Sequence, residues 1–95
     1  MGNYKRGYRA ELAARKEMET QGYTVLRAAG SKGPFDLVAF TGKTVRFIQV
    51  KRARNGNSGL TKAVKELVDV LVPPCAVKEL WIWRDGRGFV ERRVI

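Results

Sequence analysis

Asp36, Gln49 and Lys51 are the residues of this chain whose types and spacing could do chemistry together. They lie in the stretch S-K-G-P-F-D-L-V-A-F-T-G-K-T-V-R-F-I-Q-V-K, residues 31–51, which reads as a Gly/Pro turn, a strand opening on Asp36, a turn near Thr41-Gly42-Lys43, and a strand ending on Gln49-Val50-Lys51. Side chains alternate faces along a strand, so Gln49 and Lys51 point the same way, with Val45 and Phe47 behind them. If the two strands pair through the turn, Asp36 comes near both. A carboxylate, an amide oxygen and an ammonium on one sheet surface suit a metal-dependent cut in a phosphodiester. Mg²⁺ takes oxygen ligands, usually one or two carboxylates with waters and substrate phosphate. Asp36 would be the central ligand, Gln49 would add its amide oxygen and Val50 its backbone carbonyl. Lys51 would touch the attacking water or the scissile phosphate, where charge develops. Singly, each residue has a plainer reading: Asp36 as a turn cap, Gln49 as a surface amide, Lys51 as a general phosphate contact.

The elements that must position these groups follow from pattern. A first helix is expected from about Tyr4 to Gln21, stopped by Gly22. Gly7, Glu11, Ala14 and Met18 fall at helical spacing, flanked by Tyr8 and Leu12, and read as its inward stripe. Glu11 sits in that stripe, and an inward carboxylate needs a partner or a metal. It would reach the site directly or through a water; the plain alternative is a salt bridge to Arg15 one turn on. Strands are expected over Tyr23–Ala29, Phe35–Phe40, Thr44–Lys51, Lys78–Arg84 and Phe89–Ile95, the last two joined through Asp85-Gly86-Arg87-Gly88. A second helix starts near Leu60 or Thr61, carries Leu60, Val64, Leu67, Val68 and Leu71 as its apolar stripe, and ends at Pro73-Pro74. Trp81 and Trp83 share one strand face and read as packing residues, with a dimer patch as the alternative. Residues 52–59, R-A-R-N-G-N-S-G, form a basic glycine-rich loop suited to closing on a ligand. The order α-β-β-β-α-β-β makes this an α/β chain with a single central mixed sheet flanked by helices, and 95 residues make one domain, 1–95.

Charge points to the partner. Nineteen Lys and Arg face nine Asp and Glu, a net charge of +10, and the interval between Asp36 and Glu66 contains no acid. A clustered basic excess on a folded domain is the footprint of a polyanion. Lys5, Arg6 and Arg9 crowd the start of the first helix, where the helix dipole disfavours cations, so contact with phosphate is the expected use. Lys32, Arg52, Arg54 and Lys62 are the other expected DNA-backbone contacts. The one cysteine, Cys75, cannot form an internal disulfide, and no stretch reaches the roughly 20 apolar residues of a membrane helix. With no secretory signal at the N-terminus, a cytoplasmic, intracellular location is expected.

Three segments, K-R-G-Y-R-A-E ending on Glu11, G-S-K-G-P-F-D-L-V-A around Asp36, and Q-V-K ending on Lys51, resemble the archaeal Holliday junction resolvases within the PD-(D/E)-x-K nuclease superfamily. The resemblance covers about the first 55 residues. It implies a restriction-endonuclease-like fold and a Mg²⁺-dependent endonuclease, with Mn²⁺ as a substitute, acting as a homodimer on four-way junctions in DNA recombination and repair. It also implies roles for Glu11, Asp36, Gln49 and Lys51 as ligands and catalytic lysine, and a place for Ser31 near the scissile phosphate. Two features depart from the family's pattern. The proline stands two positions before Asp36 rather than next to it, and Gln49 stands where an acid is usual, as in Q-x-K branches of the superfamily.

The leading expectation is therefore a small homodimeric Mg²⁺-dependent endonuclease for branched DNA, two strands needing two sites. Base-specific cutting is disfavoured, because a chain this short leaves little room for a reading module. A nuclease-like fold that binds DNA without cutting it, and a nuclease on plain duplex, are the competing readings.

Overall fold

The computed structural model describes residues 2–28, 33–53 and 60–95, with the side chains of residues 2–7 outside the description. The first helix, α1, runs Gly2–Thr20. It ends as its sequence requires: Gly22 takes φ +95°, its N–H donates to the Glu19 carbonyl (3.0 Å), and the Tyr23 N–H reaches back to Met18 (3.1 Å). That is a Schellman cap, which a residue without Cβ forms at no steric cost. Strands β1 (Thr24–Arg27), β2 (Leu37–Phe40) and β3 (Val45–Arg52) follow, then α2 (Leu60–Asp69), β4 (Ala76–Arg84) and β5 (Gly88–Val94). The order is α-β-β-β-α-β-β, as expected from pattern.

All five strands form one sheet in the order β1-β2-β3-β4-β5. The pairs β1/β2, β2/β3 and β4/β5 are antiparallel. The β3/β4 pair is parallel, over eight residues from Val45↔Ala76 to Arg52↔Trp83, with α2 lying in the connection between the two strands. The β2–β3 turn is tied by Thr41, whose Oγ1 accepts from the N–H groups of Lys43 (3.1 Å) and Thr44 (3.3 Å).

Strand alternation sends the core to both faces. Against α1, Ala14 and Met18 pack on Val25, Leu37, Ala39, Ile48 and Trp81. Against α2, Leu60, Ala63 and Leu67 pack on Leu80 and Ile82, joined by Phe35. The α1 stripe differs from the sequence reading by one residue: Ala10, Ala14 and Met18 are buried, Glu11 lies at the rim and Tyr8 is exposed. Two alanines against the sheet allow close approach and leave the longer Glu11 at the border. The α2 stripe is shorter than expected. Val68, within the helix, faces away from the Leu60, Ala63 and Leu67 stripe and is exposed, and Leu71 is 95% exposed because the helix ends at Asp69, well before Pro73. The Lys78 ammonium completes that end, donating to the carbonyls of Leu67 (2.6 Å), Val68 (3.1 Å) and Val70 (2.8 Å). A cation there satisfies orphaned carbonyls and meets the negative end of the helix dipole. Among the described residues, no helix is long and apolar enough to cross a membrane.

Candidate active site

Asp36 is fixed by its backbone before its side chain is considered. Its N–H donates to the Ile48 carbonyl (2.9 Å), and its carbonyl accepts from the Ala28 N–H (2.9 Å). The residue thus sits between the end of β1 and the middle of β3. Its Oδ2 then accepts from the Val50 N–H (2.8 Å). In an extended strand a residue's N–H and C=O lie to the same side. The Val50 carbonyl therefore lies on the Asp36 side of β3.

Gln49 and Lys51 flank Val50 and face α2, as alternation requires. With Lys62, Ala63 and Glu66 of α2 they line a cleft of about 210 Å³. Gln49 Oε1 is buried and has no hydrogen-bond partner among the described residues. A buried acceptor left unsatisfied costs about 1–3 kcal/mol. An unmet amide oxygen, in a cleft that also holds the Glu66 carboxylate, is a fitting donor for a hard cation.

Glu11 reaches the same region from α1. Its Oε1 accepts from Arg27 Nε (2.9 Å), and Arg27 lies over the Tyr8 ring at 4.6 Å. The expected alternative partner, Arg15, is instead paired with Glu19 (3.1 Å). Burial pushes the Asp36 carboxyl above its ordinary value, and the nearby Glu11 charge adds to this; the Val50 N–H and the Arg27 guanidinium pull the other way. A carboxyl with a second carboxylate near enough to bear on its charge is a natural place for a cation. Among the described residues, no three His, Cys, Asp or Glu side chains cluster closely enough to hold a metal by themselves. Asp36, with Glu11 bearing on it and the Val50 carbonyl on its side of β3, offers oxygen donors of the kind taken by a cation that keeps waters and binds phosphate oxygens; the Gln49 amide is on the neighbouring residue of β3.

The sequence reading missed two residues. Arg27, at the end of β1, orients Glu11 and bears on Asp36. Glu66 adds a carboxylate to the Gln49–Lys51 cleft. Lys62 and Glu66 stand one helical turn apart, each beside a buried apolar residue (Ala63, Leu67), and that spacing was the available signal. Of the expected DNA contacts, Lys62 lines the cleft and Arg9 is exposed on α1. Arg52 is already engaged: its Nη2 and Nε donate to Asp85 Oδ2 at 2.7 and 3.0 Å. Ser31, Lys32 and Arg54 lie outside the described residues, as does most of the 52–59 loop, and the Lys5 and Arg6 side chains are likewise outside the description.

The sheet is mixed, its third strand carries Gln49-Val50-Lys51 alongside Asp36, and the first helix supplies Glu11. The family model of the PD-(D/E)XK endonucleases matches residues 1–72, and the chain belongs to that family. Its structure is similar to that of Archaeoglobus fulgidus Hjc, a Holliday junction resolvase from an archaeal hyperthermophile. The TM-score is 0.66 at 23% identity, over 95% of this chain and 71% of that one. The restriction-endonuclease-like fold expected from the sequence is the fold observed.

Proposed function

We propose that this protein is a Mg²⁺-dependent, structure-selective endonuclease that hydrolyses phosphodiesters in branched DNA, the four-way junction first, and that it acts as a homodimer. The observation that carries the reading is the orphaned, buried Gln49 Oε1 on the strand that Asp36 caps. Asp36, Gln49 and the Val50 carbonyl would hold the cation, with Glu11 joining directly or through a water. A cation held there supplies charge neutralisation and a bound water of lowered pKa. The protein's own groups do the rest. Arg27 holds Glu11 in place. Lys51 places its ammonium where the attacking water and the scissile phosphate meet, stabilising charge as it forms. Glu66, in the same cleft, is placed to accept a proton. Ser31 stands near the scissile phosphate in this reading. Lys5, Arg6, Arg9, Lys32, Arg54 and Lys62 hold the DNA backbone, and Arg52 does so only through what its pairing with Asp85 leaves free. Binding of this kind falls steeply with salt.

The experiment is cleavage of a labelled four-way junction beside a linear duplex of the same sequence, with Mg²⁺, with EDTA, and with Lys51→Ala. Paired Mg²⁺-dependent cuts on the junction alone, lost in the variant, are expected. Cutting of both DNAs would remove the junction preference and keep the nuclease. A second reading, binding without cutting, is favoured by one observation: Gln49 stands where an acid would bring a further negative charge. Tight binding with no cutting in Mg²⁺ or Mn²⁺ would establish it and overturn the first.

A further inference from the structure

A second cleft, of about 250 Å³, is lined by Arg9, Trp83, Asp85 and Gly86. The cutting chemistry uses none of these residues. Trp83 shares a strand face with Trp81, which packs in the α1-side core, so this cleft opens on the face opposite the Gln49–Lys51 cleft. Both clefts nevertheless belong to one end of the sheet. Trp83 stands beside Arg52 in the β3/β4 register, and the Ala53 N–H donates to its carbonyl (2.8 Å). Strand rise and spacing put the Trp83 Cα about 6 Å from that of Lys51. Arg9 is two residues from Glu11 on α1.

The indole is held rigidly for a residue that is not fully buried. Its Nε1 donates to Asp85 Oδ1 (3.2 Å), and Asp85 Oδ2 is gripped by Arg52. Phe89 meets it edge to face with ring centroids 5.0 Å apart. Gly86, at φ +82°, turns the chain at the rim with nothing within 4 Å of where a Cβ would stand. A pre-oriented indole, an arginine lining the same cleft and a glycine at the rim are the parts of a site for a flat aromatic group attached to a polyanion. Aromatic faces and guanidinium planes both stack on bases, and arginine also takes the adjoining phosphate. A site that needed phosphate alone would have no use for the indole, and one that served only packing would not be left open.

We propose that the cleft between Arg9 and the Trp83–Gly86 turn takes one unstacked nucleobase of the DNA, with Trp83 stacking on it. The proposal rests on the branched-DNA reading and deepens it. Paired bases within a duplex are already stacked and cost free energy to extrude, so a base freed at a branch, a nick or an end enters most readily. Selection by structure rather than by sequence follows, because every base has a face to stack.

The chain has two tryptophans, and the other, Trp81, is 1% exposed. Trp83→Phe therefore leaves a single buried emitter and keeps an aromatic ring against Phe89. Tryptophan emission is followed in EDTA, to prevent cutting, while three DNAs are added: a four-way junction with one unpaired thymine at the branch, the same junction with that thymine made abasic, and a fully paired linear duplex. The unpaired thymine is expected to quench the wild-type protein. The abasic junction and the duplex are expected to bind without quenching. In Trp83→Phe the quenching is lost, and affinity for the unpaired-thymine junction falls by about tenfold while affinity for the duplex is unchanged. Quenching that persists in Trp83→Phe, or is equal with the abasic junction, would overturn the proposal. The abasic comparison leaves the protein untouched, so it decides the matter even if the variant folds poorly. Binding without quenching would sink the base site alone, whereas a failure to bind any of the three DNAs would sink the branched-DNA reading beneath it.

Discussion

The two ends of β3 handle polar groups in opposite ways. Near its start, Arg46 meets Glu79 of β4 through two bonds, Nε to Oε2 at 2.6 Å and Nη2 to Oε1 at 2.8 Å, and the Trp81 indole adds a third at 2.9 Å. The Arg46 and Glu79 side chains are 18% and 7% exposed. Burial pushes the Glu79 carboxyl up, but the bonds from Arg46 and Trp81 outweigh it and hold the group below its ordinary value. Near the end of the strand, Gln49 Oε1 is buried with no donor among the described residues, and Asp36 is held above its ordinary value. One end is a polar network whose members satisfy one another; the other holds a buried acceptor that no described residue meets. Burial alone does not separate structure from function here. Completeness of the hydrogen bonding does.

The largest expected effect is on cutting. Asp36→Asn should lower the cleavage rate by more than about 100-fold, since even residues that only support a metal ligand are worth 10–100-fold. Lys51→Ala should lower kcat by about 10²–10³, the range seen when one charge-stabilising donor is removed. Neither should reduce stability in urea unfolding. For Asp36 the sign is set by its raised value: the folded state binds the proton more readily than the unfolded chain, so the ionised carboxyl at neutral pH weighs against folding. A clear loss of stability in Asp36→Asn would make that end structural and break the contrast.

Next in size is the complete end. Glu79→Gln should lower stability by about 2–3 kcal/mol, somewhat less than for a fully buried pair because Arg46 can still reach water. In thermal unfolding that is about 10–20 °C. The pair's contribution is present above the ordinary glutamate value of 4.5 and is lost as pH falls through the lowered folded value. The variant should accordingly show a flatter acid limb in stability below about pH 4.5. An unchanged acid limb would remove Glu79 from the acid response.

The smallest effect sharpens the comparison. Gln49→Met keeps the length and removes the unmet acceptor, so it should raise stability by about 1 kcal/mol while cutting falls. Gln49→Glu should instead tighten Mg²⁺ binding, read as a lower Mg²⁺ concentration for half-maximal cleavage. If Gln49→Met destabilises, the amide is doing structural work that its missing partner conceals.

Much of this was legible in the chain. The alternation of V-R-F-I-Q-V-K-R separates Ile48 and Val50, in the α1-side core, from Gln49 and Lys51. Gly22 marks the end of α1, and the turn at Thr41 fixes the pairing that brings Asp36 to Val50. What was not legible depends on long-range pairing. Arg46 and Glu79 are 33 residues apart and meet only because β3 and β4 are parallel neighbours, and Arg52 meets Asp85 by the same crossover. The basic run without acids therefore looked freer than it is. Arg27 finds Glu11 across the β1–α1 packing, which local i,i+4 spacing does not report. Leu71 fits a helical period, but the helix ends at Asp69 before that period can bury it, and Val68 falls on the outward side of the helix.

The most direct test compares the two ends in one assay: the single-turnover cleavage rate of a four-way junction in Mg²⁺, measured at a temperature where wild type, Asp36→Asn and Glu79→Gln are all folded. The account predicts Asp36→Asn slower by more than about 100-fold. It predicts Glu79→Gln within about threefold of wild type despite its lower stability. Cutting by Asp36→Asn at the wild-type rate, or an equal collapse of both variants, would contradict it.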